Sequence, residues 1–343
     1  MTSNPFAMKC GLTVNSPRTN LMKEKVKDMM RNVWHDDDVQ PPAIDSESKY
    51  VDIISEFSRR LGYNLSHVLS LLNAVDFAVS SLIDYSTNIV ISNMSNKPTY
   101  DDIKLFALHQ AASEIIHQKV YTTQFNLLTK SEEREELNRR ALELLQPLAD
   151  LALDQSSTEK YGTKAHKLNV LLCTSIECVI IPLVFNIIND FKEIEINYHE
   201  KDKDHILANE VIQVVLTANR FILRDEMDHV SGGCILINEM MKEDITIEDV
   251  HRVIDYVKRV LINCLPYMIH SDNDNSMKKS LAVMDIMANI FLDVLKGKEV
   301  HFDQYPELSM IKATIPTIDG FFYGIVTAYM TGNSEYKSQP VIE

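Results

Sequence analysis

The feature that most constrains how this chain can fold is a cluster of charged residues inside an apolar segment. Residues 224–229 read "RDEMDH" within the segment "VIQVVLTANRFILRDEMDHVSGGCILINEM". Burying an unpaired charge costs several kcal/mol, because the interior cannot replace the hydration of the ion. The segment must therefore either face water or bring its carboxylates close to a positive charge.

Composition favours an all-α chain. The 343 residues are 45% hydrophobic, which is enough for a sizeable core. Only nine glycines and eleven prolines interrupt the long periodic segments, and this pattern favours helices over a sheet protein with many turns. We predict an irregular N-terminal arm at residues 1–45, one helical domain at 46–329 and a flexible polar tail at 330–343.

Charge and cysteine content limit the partners and the compartment. The net charge of −15 argues against binding the phosphate backbone of a nucleic acid. The five cysteines are an odd number without a CxxC pair, which is typical of a reducing compartment. The N-terminus lacks a basic region followed by an apolar run, as a secretory signal would have. We therefore expect a cytoplasmic protein that does not bind nucleic acid.

One segment has the length and hydropathy of a membrane span. Residues 168–188, "LNVLLCTSIECVIIPLVFNII", are apolar over about the length that a bilayer requires. They also include Glu177 near the middle and Pro182. A central carboxylate favours a helix in the middle of a large bundle over a helix in lipid. We expect no membrane association, and Glu177 then needs a partner inside the protein.

Glutamate and histidine are spaced three residues apart in two apolar segments, "SEIIHQKVY" at residues 113–121 and "RDEMDH" at 224–229. This spacing places both side chains of a pair on one face of a helix. A third pair, at residues 248–251, begins an amphipathic helix where acidic residues favour the helix dipole. We interpret the third pair as a coincidence on the surface.

Together with two isolated carboxylates, these pairs predict a dimetal site. Ferritin-like bundles hold two metal ions with a Glu-x-x-His pair from each of two helices and one carboxylate from each of two others. Glu177 and Asp84, in "LIDYS", supply the remaining carboxylates. Oxygen-rich ligands with a minority of nitrogen favour iron or manganese over copper or structural zinc. The predicted ligands are Asp84, Glu114, His117, Glu177, Glu226 and His229.

In this order of ligands, the sequence resembles the small, radical-generating subunit of class I ribonucleotide reductase. The resemblance extends from Trp34 to about Tyr329 and is based on "VWHDDDV", "LIDYS", "SEIIHQKVY", "IECVIIPLVF" and "RDEMDH". Near the end of the chain, "YPELSM" and "FFYGIVTAY" are degraded versions of further family segments. The resemblance implies a ferritin-like helical bundle with a dimetal carboxylate site in its core.

The resemblance also implies roles for residues beyond the ligands. Tyr121 corresponds to the tyrosine that carries the radical, and Asp225 to the acid that links the ligand His117 to Trp34. Tyr336, in the C-terminal tail, corresponds to a redox tyrosine that passes the radical onward. An apolar cage shields the radical in the family, and the matching residues here are Ile181, Phe185 and Ile222.

The implied activity is that of ribonucleoside-diphosphate reductase. With two iron ions per chain and dioxygen, Tyr121 is oxidised to a stable radical, which the large subunit uses to reduce ribonucleoside diphosphates to deoxyribonucleotides for DNA replication. The implied partners are the large subunit, which the tail would bind, and a second copy of this chain in a homodimer. The sequence leaves iron, mixed manganese–iron and dimanganese centres open.

Two other classes of protein share parts of this pattern. A di-iron monooxygenase or desaturase has the same ligand order, but it needs an open pocket beside the metals and no equivalent of Tyr121 or Trp34. A ferritin-like iron-storage protein is a smaller bundle that assembles into cages, and this chain is too long for that class.

Overall fold

The computed structural model describes an all-α protein. Its described residues are 22–23, 25–27, 29–30, 33–44, 49–93, 100–192, 203–241, 244–270, 273–295, 305 and 308. Within these ranges there is no β-strand, and Tyr63 and Ile269 form an isolated bridge. The described residues confirm the predicted all-α class.

Ten α-helices follow one another along the described chain. They are α1 (Tyr50–Leu61), α2 (Leu65–Leu82), α3 (Asn88–Asn93), α4 (Tyr100–Leu128), α5 (Arg134–Gln155), α6 (Thr158–Tyr161), α7 (Lys167–Asp190), α8 (Lys203–Met241), α9 (Ile247–Met268) and α10 (Asp274–Leu295). A π-helical turn, Ile83–Thr87, joins α2 to α3, and short 3-10 helices span Asp36–Val39 and Gly162–Lys164.

Helix α7 lies at the centre of the bundle. Every residue from 168 to 188 is buried, because α2, α8, α9 and α10 pack around this helix. Three helical stretches are long and apolar enough to cross a membrane, namely Leu65–Asn93, Lys167–Asp190 and Lys203–Asn238. The most apolar window, in α7, is 100% buried inside the protein, so its hydropathy is explained by its central position.

Two glycines in α8 permit close packing against its neighbours. A Cβ atom added at Gly232 would lie 2.0 Å from Cε2 of Phe106 in α4. One added at Gly233 would lie 2.3 Å from Oγ1 of Thr174 in α7. Both glycines lie within four residues after His229, and these contacts set how closely α8 approaches α4 and α7, the two helices that carry other predicted ligands.

The N-terminal arm, which the sequence predicted to be irregular, contains helical residues between Met22 and Met30. Met22, Val26 and Met29 are buried at helical spacing and join the hydrophobic core. The predicted tail at residues 330–343, including Tyr336, lies outside the described residues, and so does "FFYGIVTAY".

Candidate metal centre

Six ionisable side chains from α2, α4, α7 and α8 meet in the bundle core. All are 1% exposed or less, and they are Asp76, Glu114, His117, Glu177, Glu226 and His229. They form two overlapping groups, and within each group the candidate ligand atoms lie within 4.8 Å of one another. We name these site A (Asp76, Glu114, His117 and Glu226) and site B (Glu114, Glu177, Glu226 and His229).

The two glutamates that sites A and B share are oriented to bridge them. His117 Nδ1 lies 3.5 Å from Oε2 of Glu114 and 3.0 Å from Oε1 of Glu226. His229 Nδ1 lies 3.1 Å from the other oxygen of Glu114 and 3.4 Å from the other oxygen of Glu226. Each glutamate therefore presents one oxygen toward each imidazole, as two bridging carboxylates would.

Burial and mutual proximity shift the pKa values of the carboxyl and imidazole groups in the cluster. Burial raises the pKa of Asp76 and of Glu177 well above the usual range for a carboxyl. Burial opposes ionisation of Glu226 too, but the imidazoles of His117 and His229, which face its two oxygens, lower its pKa to about 2. Burial likewise favours neutral imidazoles, yet the surrounding carboxylates raise the pKa of both histidines. Among the described residues, no lysine or arginine pairs with the four carboxylates.

Most polar atoms of the cluster are buried and have no hydrogen-bond partner in the described part of the chain. These are Oδ2 of Asp76, both carboxylate oxygens of Glu114 and of Glu226, Oε2 of Glu177, Nδ1 of His117 and both ring nitrogens of His229. So many unpaired buried atoms in one place are rare in a folded protein. Two divalent cations would pair with these atoms and balance four carboxylates, so the residues present fit a dimetal centre.

Site B differs from site A because donors from the protein engage its terminal carboxylate. Gln110 donates its Nε2–H to Oε1 of Glu177 over 2.7 Å, and both side chains are buried. The Cys173 thiol lies 3.8 Å from the same oxygen, which is also 3.8 Å from His229 Nδ1. Gln110 thus limits the orientations that the Glu177 carboxylate can adopt.

The structure corrects one predicted ligand, because Asp76 occupies the position that the sequence assigned to Asp84. Asp84 is exposed in the π-helical turn, on a stripe that includes Phe77 and Ser81. Asp76 follows Leu72 by four residues and shares its buried face. The available signal was local: Asp76 is flanked by "NAV" and "FAV", whereas "DYSTN" continues Asp84 with polar residues typical of a surface.

Trp34 and His117 contact the same carboxylate outside the cluster. Trp34 donates its Nε1–H to Oδ2 of Asp225 over 2.6 Å, and Nε2 of His117 lies 3.4 Å from the same oxygen. The indole ring is 6% exposed and stacks on the Phe221 ring, with centroids 5.5 Å apart. The structure therefore brings together Trp34, Asp225 and His117, as the resemblance implied.

The remaining charges of "RDEMDH" have partners outside the cluster. Asp228 accepts a hydrogen bond from Lys25 over 2.7 Å. Arg224 is half-buried, with its guanidinium carbon 5.7 Å from the Phe221 ring centroid. In contrast, Glu248 and His251 of the third pair are both exposed, which agrees with a coincidental spacing.

Tyr121 is buried completely, one helical turn after His117 in α4. Among the residues that the structure describes, its hydroxyl has no hydrogen-bond partner, and burial raises the pKa of the phenol well above its usual range. Among nearby charges, Asp76 contributes most to this shift. The predicted cage residues Ile181, Phe185 and Ile222 are also buried.

Comparison with known proteins identifies the fold. No family model and no curated protein sequence matches the chain. A solved structure described as a class I ribonucleotide reductase from Bacillus halodurans matches with a TM-score of 0.61 at 15% identity, covering 86% of this chain and 99% of that one. The ribonucleotide reductase R2 subunit from Clostridium botulinum also matches with a TM-score of 0.61 at 15% identity, covering 86% of this chain and 88% of that one. The chain therefore has the all-α, ferritin-like fold of these reductase proteins, as predicted from its metal-binding pattern.

Proposed function

We propose that this chain is the small subunit of a class I ribonucleotide reductase and supplies the radical with which a large subunit reduces ribonucleoside diphosphates. The observation that carries the proposal is a single constellation: a buried six-residue cluster, the buried phenol of Tyr121, and a hydrogen-bonded path from Trp34 to the ligand His117. A metal-storage protein or an oxygenase has no need for the last two features.

Sites A and B would hold two metal ions per chain, and we propose iron or manganese. When bound, the metal pair supplies the oxidising power, drawn from dioxygen, that removes an electron from a phenol. Glu114 and Glu226 would hold the two ions at a fixed separation, because each presents one oxygen to each site. Asp76 and Glu177 would complete the two ends of the pair.

The surroundings of Tyr121 suit a long-lived radical. The phenol carries its proton at neutral pH, as any tyrosine does, and burial raises its pKa further. Its oxidation to a neutral radical must therefore remove a proton together with the electron. Complete burial keeps water and soluble reductants away from the ring once the radical has formed.

Trp34, Asp225 and His117 would carry the oxidising equivalent outward. Oδ2 of Asp225 accepts from the indole N–H and lies within reach of the imidazole Nε2–H. A shared acceptor allows a proton to shift along the path as an electron moves between the ring systems. The path begins at a buried ligand and ends at Trp34 in the N-terminal arm, between the exposed residues Val33 and His35.

We also propose a homodimer, and an exposed apolar face supports it. The face lies on α2, the π-helical turn, α3 and α4, which pack side by side. Its large exposed hydrophobic residues are Phe77, Tyr85, Ile89, Leu105, Leu108 and Ile115. A group of large exposed apolar side chains on neighbouring helices is typical of a surface that binds another protein. The second partner would be the large subunit, which would bind the tail at residues 330–343. Both subunits would work in the cytoplasm.

Nucleotide reduction in the presence of a class I large subunit tests the proposal. We expect turnover from the metal-loaded wild-type chain and essentially none from Trp34→Phe or Tyr121→Phe. Both variants should still bind two metal ions, because neither residue belongs to site A or site B.

A di-iron oxygenase would give a different pattern in the same experiment. Both variants would then consume dioxygen in the presence of an organic substrate at the wild-type rate. Neither the variants nor the wild type would reduce nucleotides. Full nucleotide reduction by Trp34→Phe would contradict the proposed path through Trp34, Asp225 and His117, even if the chain is a reductase subunit.

A further inference from the structure

The N-terminal arm makes a second polar contact with α8 beside the Trp34 contact. Lys25 Nζ donates to Oδ1 of Asp228 over 2.7 Å, and each side chain is 13% exposed. Asp228 stands three residues after Asp225, so the two acids are neighbours on one side of α8. The arm is therefore fixed to adjacent positions of the ligand helix at Lys25 and again at Trp34.

The apolar contacts of the arm fix its position less specifically. Met22, Val26 and Met29 bury the same face of the helical stretch, and Trp34 stacks on Phe221. Dispersion contacts between apolar groups have little directional preference, so such a face tolerates small shifts along its partner. The 2.6 Å hydrogen bond from Trp34 to Asp225 does not tolerate such shifts.

We propose that Lys25 and Asp228 form a latch that positions Trp34 against Asp225. In this account Asp228 does not bind metal: it lies outside both sites, and its carboxylate faces the Lys25 ammonium. Both residues act through Trp34, so they are positioning residues rather than catalytic ones. Their importance for radical transfer rests on the proposed function, whereas their effect on the placement of Trp34 does not.

The fluorescence of Trp34 reports its placement directly, because it is the only tryptophan in the chain. The wild-type indole is 6% exposed and should be quenched weakly by acrylamide. In Lys25→Met, which keeps the length of the side chain but removes its charge, we expect red-shifted emission and several-fold stronger quenching. Asp228→Asn should behave in the same way, and Lys25→Arg, which retains the charge, should restore the wild-type values.

Lys167→Met is the matched control. Lys167 pairs with Asp244, and the exposed fractions of the two side chains, 16% and 17%, are close to those of the latch. Losing that pair, which joins α7 to the segment after α8, should lower stability without changing the emission or quenching of Trp34. Circular dichroism of each variant would show that its helices remain folded.

Functional measurements on the same variants separate the latch from the proposed function. Lys25→Met should reduce the rate of nucleotide reduction at least several-fold while its metal content and radical yield stay at wild-type levels. Unchanged quenching in both Lys25→Met and Asp228→Asn would overturn the latch and leave the proposed function intact. Altered quenching with no nucleotide reduction by the wild type would support the latch and contradict the proposed function.

Discussion

At the scale of residues, the cluster is defined by which carboxylates the helices bury. Asp76 and Asp84 both follow apolar stretches of the α2 region, yet only Asp76 is buried beside His117. Because a carboxylate that neutralises a metal must lie within its coordination sphere, the exposed Asp84 should contribute nothing to metal binding.

Substituting the two aspartates by asparagine tests this correction. Asp76→Asn removes one negative charge from site A, so we expect it to lose at least one metal ion after dialysis. Asp84→Asn should retain two ions per chain, as the wild type does. Elemental analysis of the purified proteins gives the metal content, and metal loss in Asp84→Asn alone would restore the assignment made from the sequence.

Gln110 provides a second prediction at this scale, because it restrains the terminal carboxylate of site B. Removing a group that orients a ligand typically weakens metal binding by about 10- to 100-fold. We expect Gln110→Leu to weaken one of the two metal-binding steps by a factor of this size and to leave the other unchanged, as measured by titration with Mn²⁺.

Gln124→Leu is the control for this titration. It makes the same substitution at another buried position of α4, where the side chain accepts from Asn219 and contacts no predicted ligand. If the affinities of both metal-binding steps are unchanged in Gln110→Leu, the orientation of the Glu177 carboxylate does not depend on Gln110. Equal losses in both variants would point to a general effect on the fold of α4.

Most of the cluster could be predicted from sequence because its residues conflict with their surroundings. Glu177 stands in the most apolar helix, and the pairs at 114–117 and 226–229 interrupt apolar segments. Asp76 also conflicts with its apolar neighbours, but it was not among the predicted ligands, because the match of "LIDYS" to the family segment indicated Asp84. Gln110 could not be recognised, because a buried amide that orients a ligand has the same sequence signature as any glutamine in a helix.

At the scale of elements, Gly232 sets how closely α8 approaches α4. In a free helix, alanine is more favourable than glycine by about 1 kcal/mol. At Gly232 the added Cβ would overlap the Phe106 ring, so this preference should be reversed.

We expect Gly232→Ala to reduce the free energy of unfolding by about 1–3 kcal/mol, a typical cost of overpacking a core. Denaturant titration of the metal-free chain measures this change. Adding Phe106→Leu should recover part of the loss, because the smaller side chain makes room for the methyl group. A stabilised Gly232→Ala would mean that α8 does not pack this closely on α4.

The elements themselves were largely predictable, since long periodic stretches with few glycines and prolines leave little choice but helices. The central position of α7 followed from its apolar character on all sides. The helical residues between Met22 and Met30 were missed because their buried side chains, Met22, Val26 and Met29, are few and lie in a largely polar arm. Packing on the bundle, rather than local propensity, accounts for their helical conformation.

At the scale of the whole molecule, the exposed apolar face on α2, α3 and α4 predicts a dimer. Leu108→Glu places a charge in this face, where the leucine is 55% exposed, and should convert a dimer into a monomer. Leu142→Glu, at a leucine of α5 that is 50% exposed and outside the face, should not. Light scattering after size-exclusion chromatography measures both masses, and an unchanged mass for Leu108→Glu would exclude Leu108 from the interface.

The likeness to reductase structures at 15% identity shows that chains with few identical residues can share this fold. A buried set of ligands on four helices constrains their relative positions, while the other core residues can vary as long as the volume is filled. Contacts between distant segments, such as Lys25 with Asp228, are not apparent from the sequence, because nothing local marks the two residues as partners.

The formation of a radical on Tyr121 tests the central claim most directly. Electron paramagnetic resonance after adding ferrous iron and oxygen to the metal-free chain should show a tyrosyl signal, with hyperfine splitting that changes when the tyrosines are ring-deuterated. Tyr121→Phe should bind the same amount of iron and give no such signal. A wild-type chain that binds two irons and reacts with oxygen without forming a tyrosyl radical, or a signal that persists in Tyr121→Phe, would contradict the account.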